Sequence, residues 1–176
     1  MVKNTILSLL IILTIGCKAQ KTDSSAIVDK DGSLVGIATK DAFLTEPFSE
    51  WFVFNYNAYE VDQATIDSLK PLLNNITIKA FMGTWCGDSQ SQTPVFYKVI
   101  ESANFNIQNL TLVAVDTNKK TPKNLQKGYD IKYVPTFIFF KNGEEIGRIV
   151  EYPITSIEAD ILTIVSGKPY KHAYQD

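Results

Sequence analysis

Two hydrophobic periods alternate along most of this chain, one near 3.6 residues and one of short unbroken apolar runs. Behind Asp62, a residue suited to an N-cap, Ile66, Leu69, Leu72 and Leu73 recur at helical spacing. Residues 76–82 read as a buried strand. A helix is predicted from near Cys86 to about Ser102, bent at Pro94. Residues 110–116 form a second apolar strand. Residues 121–127 are then expected as a short helix, opened by Pro122 and ended by Gly128. Residues 136–140, the turn Lys141-Asn142-Gly143 and residues 144–150 read as a hairpin. Residues 155–166 are an amphipathic helix closed by Gly167. Upstream, residues 41–51 suggest a short helix interrupted at Pro47, and residues 51–56 an aromatic strand. The order β-α-β-α-β-α-β-β-α implies an α/β fold: a mixed central sheet with helices on both faces.

The first residues have a different pattern. Lys3 precedes an apolar run over 6–15 broken only by Ser8 and Thr14. That run is short for a membrane span and suits the core of a secretory signal. Thr14-Ile15-Gly16-Cys17 resembles the lipobox of bacterial lipoproteins, which implies lipidation of Cys17 and a membrane anchor. Cleavage after Cys17-Lys18-Ala19, before Gln20, is the alternative and implies a soluble secreted or periplasmic protein. The first route places the domain in the bacterial cell envelope, periplasm-facing or on the outer membrane. Both lead to an oxidising compartment. The chain is therefore divided into a signal over 1–17, a polar tether over 18–40, a domain over 41–167 and a tail over 168–176. A short hairpin around residues 34–38 is the alternative to an open tether there.

Composition narrows the chemistry. A hydrophobic fraction of 45% with 10 Phe is enough for a real core. Net charge is -2 and the charges are interspersed, so nucleic acid is not an expected partner. The one histidine, His172, lies in the tail, which argues against a His-based metal site or a Ser-His triad. No metal and no cofactor are expected. The cysteines at 17 and 86 have unrelated settings, and removal or lipidation of Cys17 leaves Cys86 as the only thiol.

Three motifs carry the functional signal. Thr84-Trp85-Cys86-Gly87-Asp88-Ser89 follows a buried strand, with Pro94 further on; Val134-Pro135-Thr136 opens a later strand; Phe140-Lys141-Asn142-Gly143-Glu144 makes the hairpin. In this order and spacing they resemble the thioredoxin family over roughly residues 60–167. The resemblance implies a nucleophilic role for Cys86, a cis-proline facing it at Pro135, an aromatic flank at Trp85 and a helix-kinking proline at Pro94. Gly87, Asp88, Val134 and Thr136 complete the expected surround. Thiolate is the reactive form of cysteine, and a helix N-terminus stabilises negative charge, with the amides of Asp88 and Ser89 expected to face the sulfur.

The chain departs from the family at the second position of the usual pair, where Ser89 stands. A hydroxyl does not exchange with a disulfide, so a dithiol cycle within one monomer is excluded. Ala80 occupies the position where many thioredoxins bury an acid, and Met82 replaces a common aromatic. A gapless alignment offers Asp116 as a substitute proton carrier, against the plainer reading of a strand-end Asp in a loop. Three functions follow. Cys86 acts as a monothiol oxidoreductase, with protein or low-molecular-weight thiols and disulfides as partners and an external thiol resolving the product. Alternatively the domain is a redox-inactive peptide-binding module, or a sensor in which Cys86 is oxidised to sulfenic acid.

Overall fold

The computed structural model describes residues 25–175. The expected signal over 1–17, the lipidation site Cys17 and residues 18–24 lie outside them. Six strands form one sheet: β1 (Ile27–Val28), β2 (Leu34–Ala38), β3 (Ile76–Met82), β4 (Leu110–Ala114), β5 (Thr136–Lys141) and β6 (Glu144–Val150), in the order β1-β2-β4-β3-β5-β6. Only β3 and β4 run parallel among the paired strands, in register Ile78 with Leu110 through Met82 with Ala114. The helices are α1 (Ser49–Ala58), α2 (Gln63–Leu69), α3 (Gly87–Ser102) and α4 (Ile157–Val165). The result is the expected mixed α/β architecture, but the four helices pack into the core on one face of the sheet and not on both faces as expected, because the segment covering the other face forms turns.

Side-chain alternation on the strands separates two cores. Ile76, Ile78, Ala80 and Met82 of β3 face the larger one, with Phe137 and Phe139 of β5. All four helices contribute to it, among them Phe52, Ile66, Phe96 and Ile161. Phe96 of α3 stacks on Phe137 with centroids 4.2 Å apart, which fixes the helix over the sheet. The opposite face carries Phe81, Val113, Val115, Val134 and Ile138, with Trp85, Cys86, Leu125 and Tyr129 packed around them.

That second face is covered by turns where a short helix over 121–127 was expected. Asn124 has a left-handed φ of 53°, which breaks helical continuity. The segment is instead closed by local bonds such as Asn124 N–H to Thr121 O and Lys127 N–H to Asn124 O. The aromatic strand expected over 51–56 is also a helix. Phe48, Phe52 and Tyr56 fall four residues apart on one face, with Phe52 buried and stacked on Phe43. Phe54, which gave the segment its apparent period of two, is 71% exposed.

The tether expected over 18–40 is not open over its second half, because residues 27–40 are built into the domain. Leu34, Val35 and Ala38 are buried, and β2 pairs with β4 from Gly36 opposite Ala114 to Ala38 opposite Leu112. β2 also reaches the loop after β3: Leu34 N–H donates to Thr84 Oγ1 at 3.0 Å in a buried setting. The expected N-cap at Asp62 forms, its carboxylate accepting from Ala64 N–H. Two buried carboxylates secure α4: Glu158 accepts from Tyr59 Oη and Asp62 N–H, and Asp160 from Ile154 N–H, Thr155 N–H and Tyr170 Oη. Among the described residues no helix is long and apolar enough to cross a membrane.

Replacing Thr84 with Val keeps the shape and strands the buried Leu34 N–H. The expected cost is about 1–3 kcal/mol, read as a lower urea midpoint with an unchanged slope.

Candidate active site

The site forms where three segments converge: the turn between β3 and α3, the loop entering β5, and the start of the 116–120 turn. β3 ends at Met82, and the chain turns through a Cys86 N–H to Gly83 O bond of 3.0 Å. Cys86 then becomes the N-cap of α3 in extended backbone, φ -98° and ψ 123°. Gly83 is required by packing. A Cβ there would lie 2.5 Å from Trp85 Cε2, so the indole can fold back on the chain only over glycine. Folded back, Trp85 donates its Nε1–H to Val115 O at 2.9 Å, and Lys119 Nζ sits 5.9 Å from the ring centroid.

The facing wall is the loop entering β5. The Val134–Pro135 bond is cis. Thr136 Oγ1 donates to Tyr133 O at 2.8 Å, and Glu151 N–H donates to Pro135 O at 2.7 Å, so the loop is held from both sides. Cys86 reaches this wall directly: its Sγ donates to Val134 O at 3.2 Å. Cys86 is partly exposed and is the free cysteine among the described residues.

The expected residues divide by role. Trp85, Cys86, Val134 and Pro135 come together at one place. Gly87 and Asp88 open α3 on its solvent side. Thr136 lies beneath the loop and braces it. The amides of Asp88 and Ser89 were expected to hold the sulfur, but Cys86 makes no side-chain capping bond, because its sulfur turns to Val134. Ser89 also turns its hydroxyl to another partner. It is fully buried and accepts instead from Gly83 N–H at 3.1 Å, closing the turn it helps to form. Asp116 follows the plainer reading: its Oδ1 accepts from Asn118 N–H and Lys120 N–H at 2.9 and 2.8 Å, a local turn cap.

Two further residues shape the site. Gln90 bonds Cys86 O through its backbone N–H at 2.9 Å and Thr84 O through Nε2 at 2.7 Å, pinning the loop on both sides of Trp85. Pro94 has no N–H for Gln90 O, and Asn55 Nδ2 of α1 supplies a donor there at 3.2 Å. A proline in a helix signals an orphaned carbonyl four residues back. Nothing in the sequence singles out Asn55 as its partner.

Comparison with known proteins agrees with this geometry. The family model described as thioredoxin matches residues 61–162. Thioredoxin of Ictalurus punctatus is 32% identical over 92 residues, 52% of this chain and 77% of that protein. Thioredoxin H9 of Arabidopsis thaliana is 29% identical over 94 residues, 53% of this chain and 63% of that protein. The chloroplastic thioredoxin Y of Oryza sativa subsp. japonica is 37% identical over 87 residues, 49% of this chain and 46% of that protein. The chain thus spans 63% and 46% of the length of the two plant relatives and 77% of the fish protein. A crystal structure of a Pseudomonas aeruginosa protein of unknown function superposes with a TM-score of 0.56 at 13% identity, covering 73% of this chain and 91% of that one, a likeness of fold alone. With the family model spanning more than half of its residues, this chain belongs to the thioredoxin family.

Proposed function

We propose that this protein is a thiol-disulfide oxidoreductase of the cell envelope that works as a monothiol through Cys86. The observation that carries this reading is the placement of one partly exposed sulfur 3.2 Å from the carbonyl before a cis-proline, with Ser89 at the second position of the pair. Cys86, once deprotonated, attacks one sulfur of a disulfide. A Cys86–S–S–R bond forms, and the other sulfur leaves as a thiolate. An external thiol then attacks that mixed disulfide, restoring Cys86 and carrying R away as a new disulfide. The partners are protein or low-molecular-weight thiols and disulfides. Cys17 is lipidated in this reading and ties the domain to the membrane through the polar residues 18–24.

Ser89 decides which half of the cycle the protein performs itself. Its Oγ is fully buried in the first turn of α3, so a thiol there would sit beside Cys86 and need not be recruited. The Ser89→Cys variant is expected to release trapped substrate unaided by closing a disulfide between Cys86 and the introduced thiol, whereas the natural protein holds its mixed disulfide until a thiol is added. The measurement is non-reducing electrophoresis after reaction with a labelled peptide disulfide; equal lifetimes of the adduct in both proteins would contradict the scheme.

The sulfur's role as a hydrogen-bond donor to Val134 O favours one other reading, a binding module in which Cys86 only shapes the groove. Cys86→Ala separates the two. Monothiol chemistry predicts loss of covalent capture to background, about 100-fold or more, since no other described thiol remains. A binding module predicts capture of reduced peptide within about two-fold of the natural protein, measured by calorimetry.

A further inference from the structure

The tail lies beyond the matched family region, yet over residues 168–175 it returns to the loop before Pro135. Tyr170 Oη donates to the buried Asp160 carboxylate at 2.8 Å and starts the return. The Tyr174 ring then stacks on Tyr133 with centroids 4.1 Å apart and planes 14° from parallel. Tyr133 is the residue next to Val134, whose carbonyl oxygen lies 3.2 Å from the Cys86 sulfur. On its other side Tyr174 lies 6.2 Å from Tyr152 and bonds the Glu151 carboxylate through its hydroxyl.

Glu151 is itself unusual. Its φ is 60°, a region that favours glycine, and its N–H donates to Pro135 O at 2.7 Å. Glycine would suit that backbone better, but only a side chain can hold the Tyr174 hydroxyl. The contacts therefore close a ring: Pro135 to Glu151, Glu151 to Tyr174, Tyr174 to Tyr133, and Tyr133 through Val134 to the sulfur. The three tyrosines stay open to solvent, Tyr133 at 38%, Tyr152 at 47% and Tyr174 at 42%. Tyr133 thus links the loop that faces Cys86 to two further exposed rings.

We propose that the C-terminal tail is part of the site, with Tyr174 a positioning residue that holds the 133–135 loop against Cys86 and widens its wall for the residues flanking a polypeptide disulfide. The assignment of a disulfide as the ligand rests on the exchange reading above; the positioning role does not. Aromatic stacking carries most of the contact, and the hydroxyl bond adds direction.

The test uses the full chain with Tyr174→Ala and Tyr174→Phe. In amide hydrogen exchange, Tyr174→Ala is expected to lower protection of the Glu151 amide by about five-fold or more, with β3 amides unaffected. Tyr174→Phe keeps the ring and is expected to restore about half of that loss on a logarithmic scale. In kinetics, Tyr174→Ala is expected to slow Cys86 exchange with a peptide disulfide about five-fold more than exchange with oxidised glutathione. Unchanged protection at Glu151 overturns the positioning role. Equal slowing of both disulfides overturns the widened wall. A natural protein that exchanges with neither disulfide sinks the exchange reading and the wall together, while the Glu151 amide still decides the positioning role.

Discussion

A sulfur at the start of one helix must meet a carbonyl at the start of a strand 48 residues later, and most of the local structure serves that contact. Neither loop could keep its shape alone. The 83–86 turn depends on a glycine that admits the Trp85 ring, on the Ser89 hydroxyl that takes up the Gly83 amide, and on Gln90 bonding both sides of the tryptophan. The 133–135 loop depends on Thr136 below and Glu151 beside it. Each of these bonds takes up a backbone N–H or C=O of the two loops, so the site is assembled chiefly from main-chain contacts.

The same economy explains how a serine fits where the family usually places a second thiol. A thiol is a weak hydrogen-bond partner, whereas the Ser89 hydroxyl accepts well from the Gly83 amide. In the proposed exchange cycle, serine at this position gives up resolving chemistry, while its hydroxyl closes the turn. Under the proposed function, release of product then passes to an outside thiol, and the rate of turnover becomes a property of the compartment as much as of the protein.

Much of the fold was legible in the chain, and the failures have physical causes. The strands over 76–82 and 136–140 were plain because buried strands near a sheet's centre are largely apolar runs, the edge strand over 144–150 followed from the Asn142-Gly143 turn before it, and the α3 helix followed from its motif. The 51–56 segment misled because Phe52, Phe54 and Tyr56 imitate strand alternation, and only burial shows that Phe54 is outside. The 121–127 segment misled because Asn124 adopts a left-handed backbone that a helix cannot include. The hairpin around 34–38 stood only as the alternative to an open tether because its flanks are polar, although Leu34 and Val35 are buried. At the site, the motif named Trp85, Cys86, Val134 and Pro135 and could not show where the sulfur points. Asn55, Glu151 and Tyr174 act through long-range contacts that leave no local pattern, and the local bonds of Gln90 depend on a side-chain direction that the motif does not show.

The central claim is that one presented sulfur reacts and that nothing within the same chain undoes the product. Peptide mapping of the intact protein after treatment with oxidised glutathione, then removal of the excess, tests this most directly. The account predicts a single glutathione adduct on Cys86 that persists for hours and is discharged within minutes once a small thiol is supplied. An unmodified Cys86, or an adduct that disappears without added thiol, would contradict it.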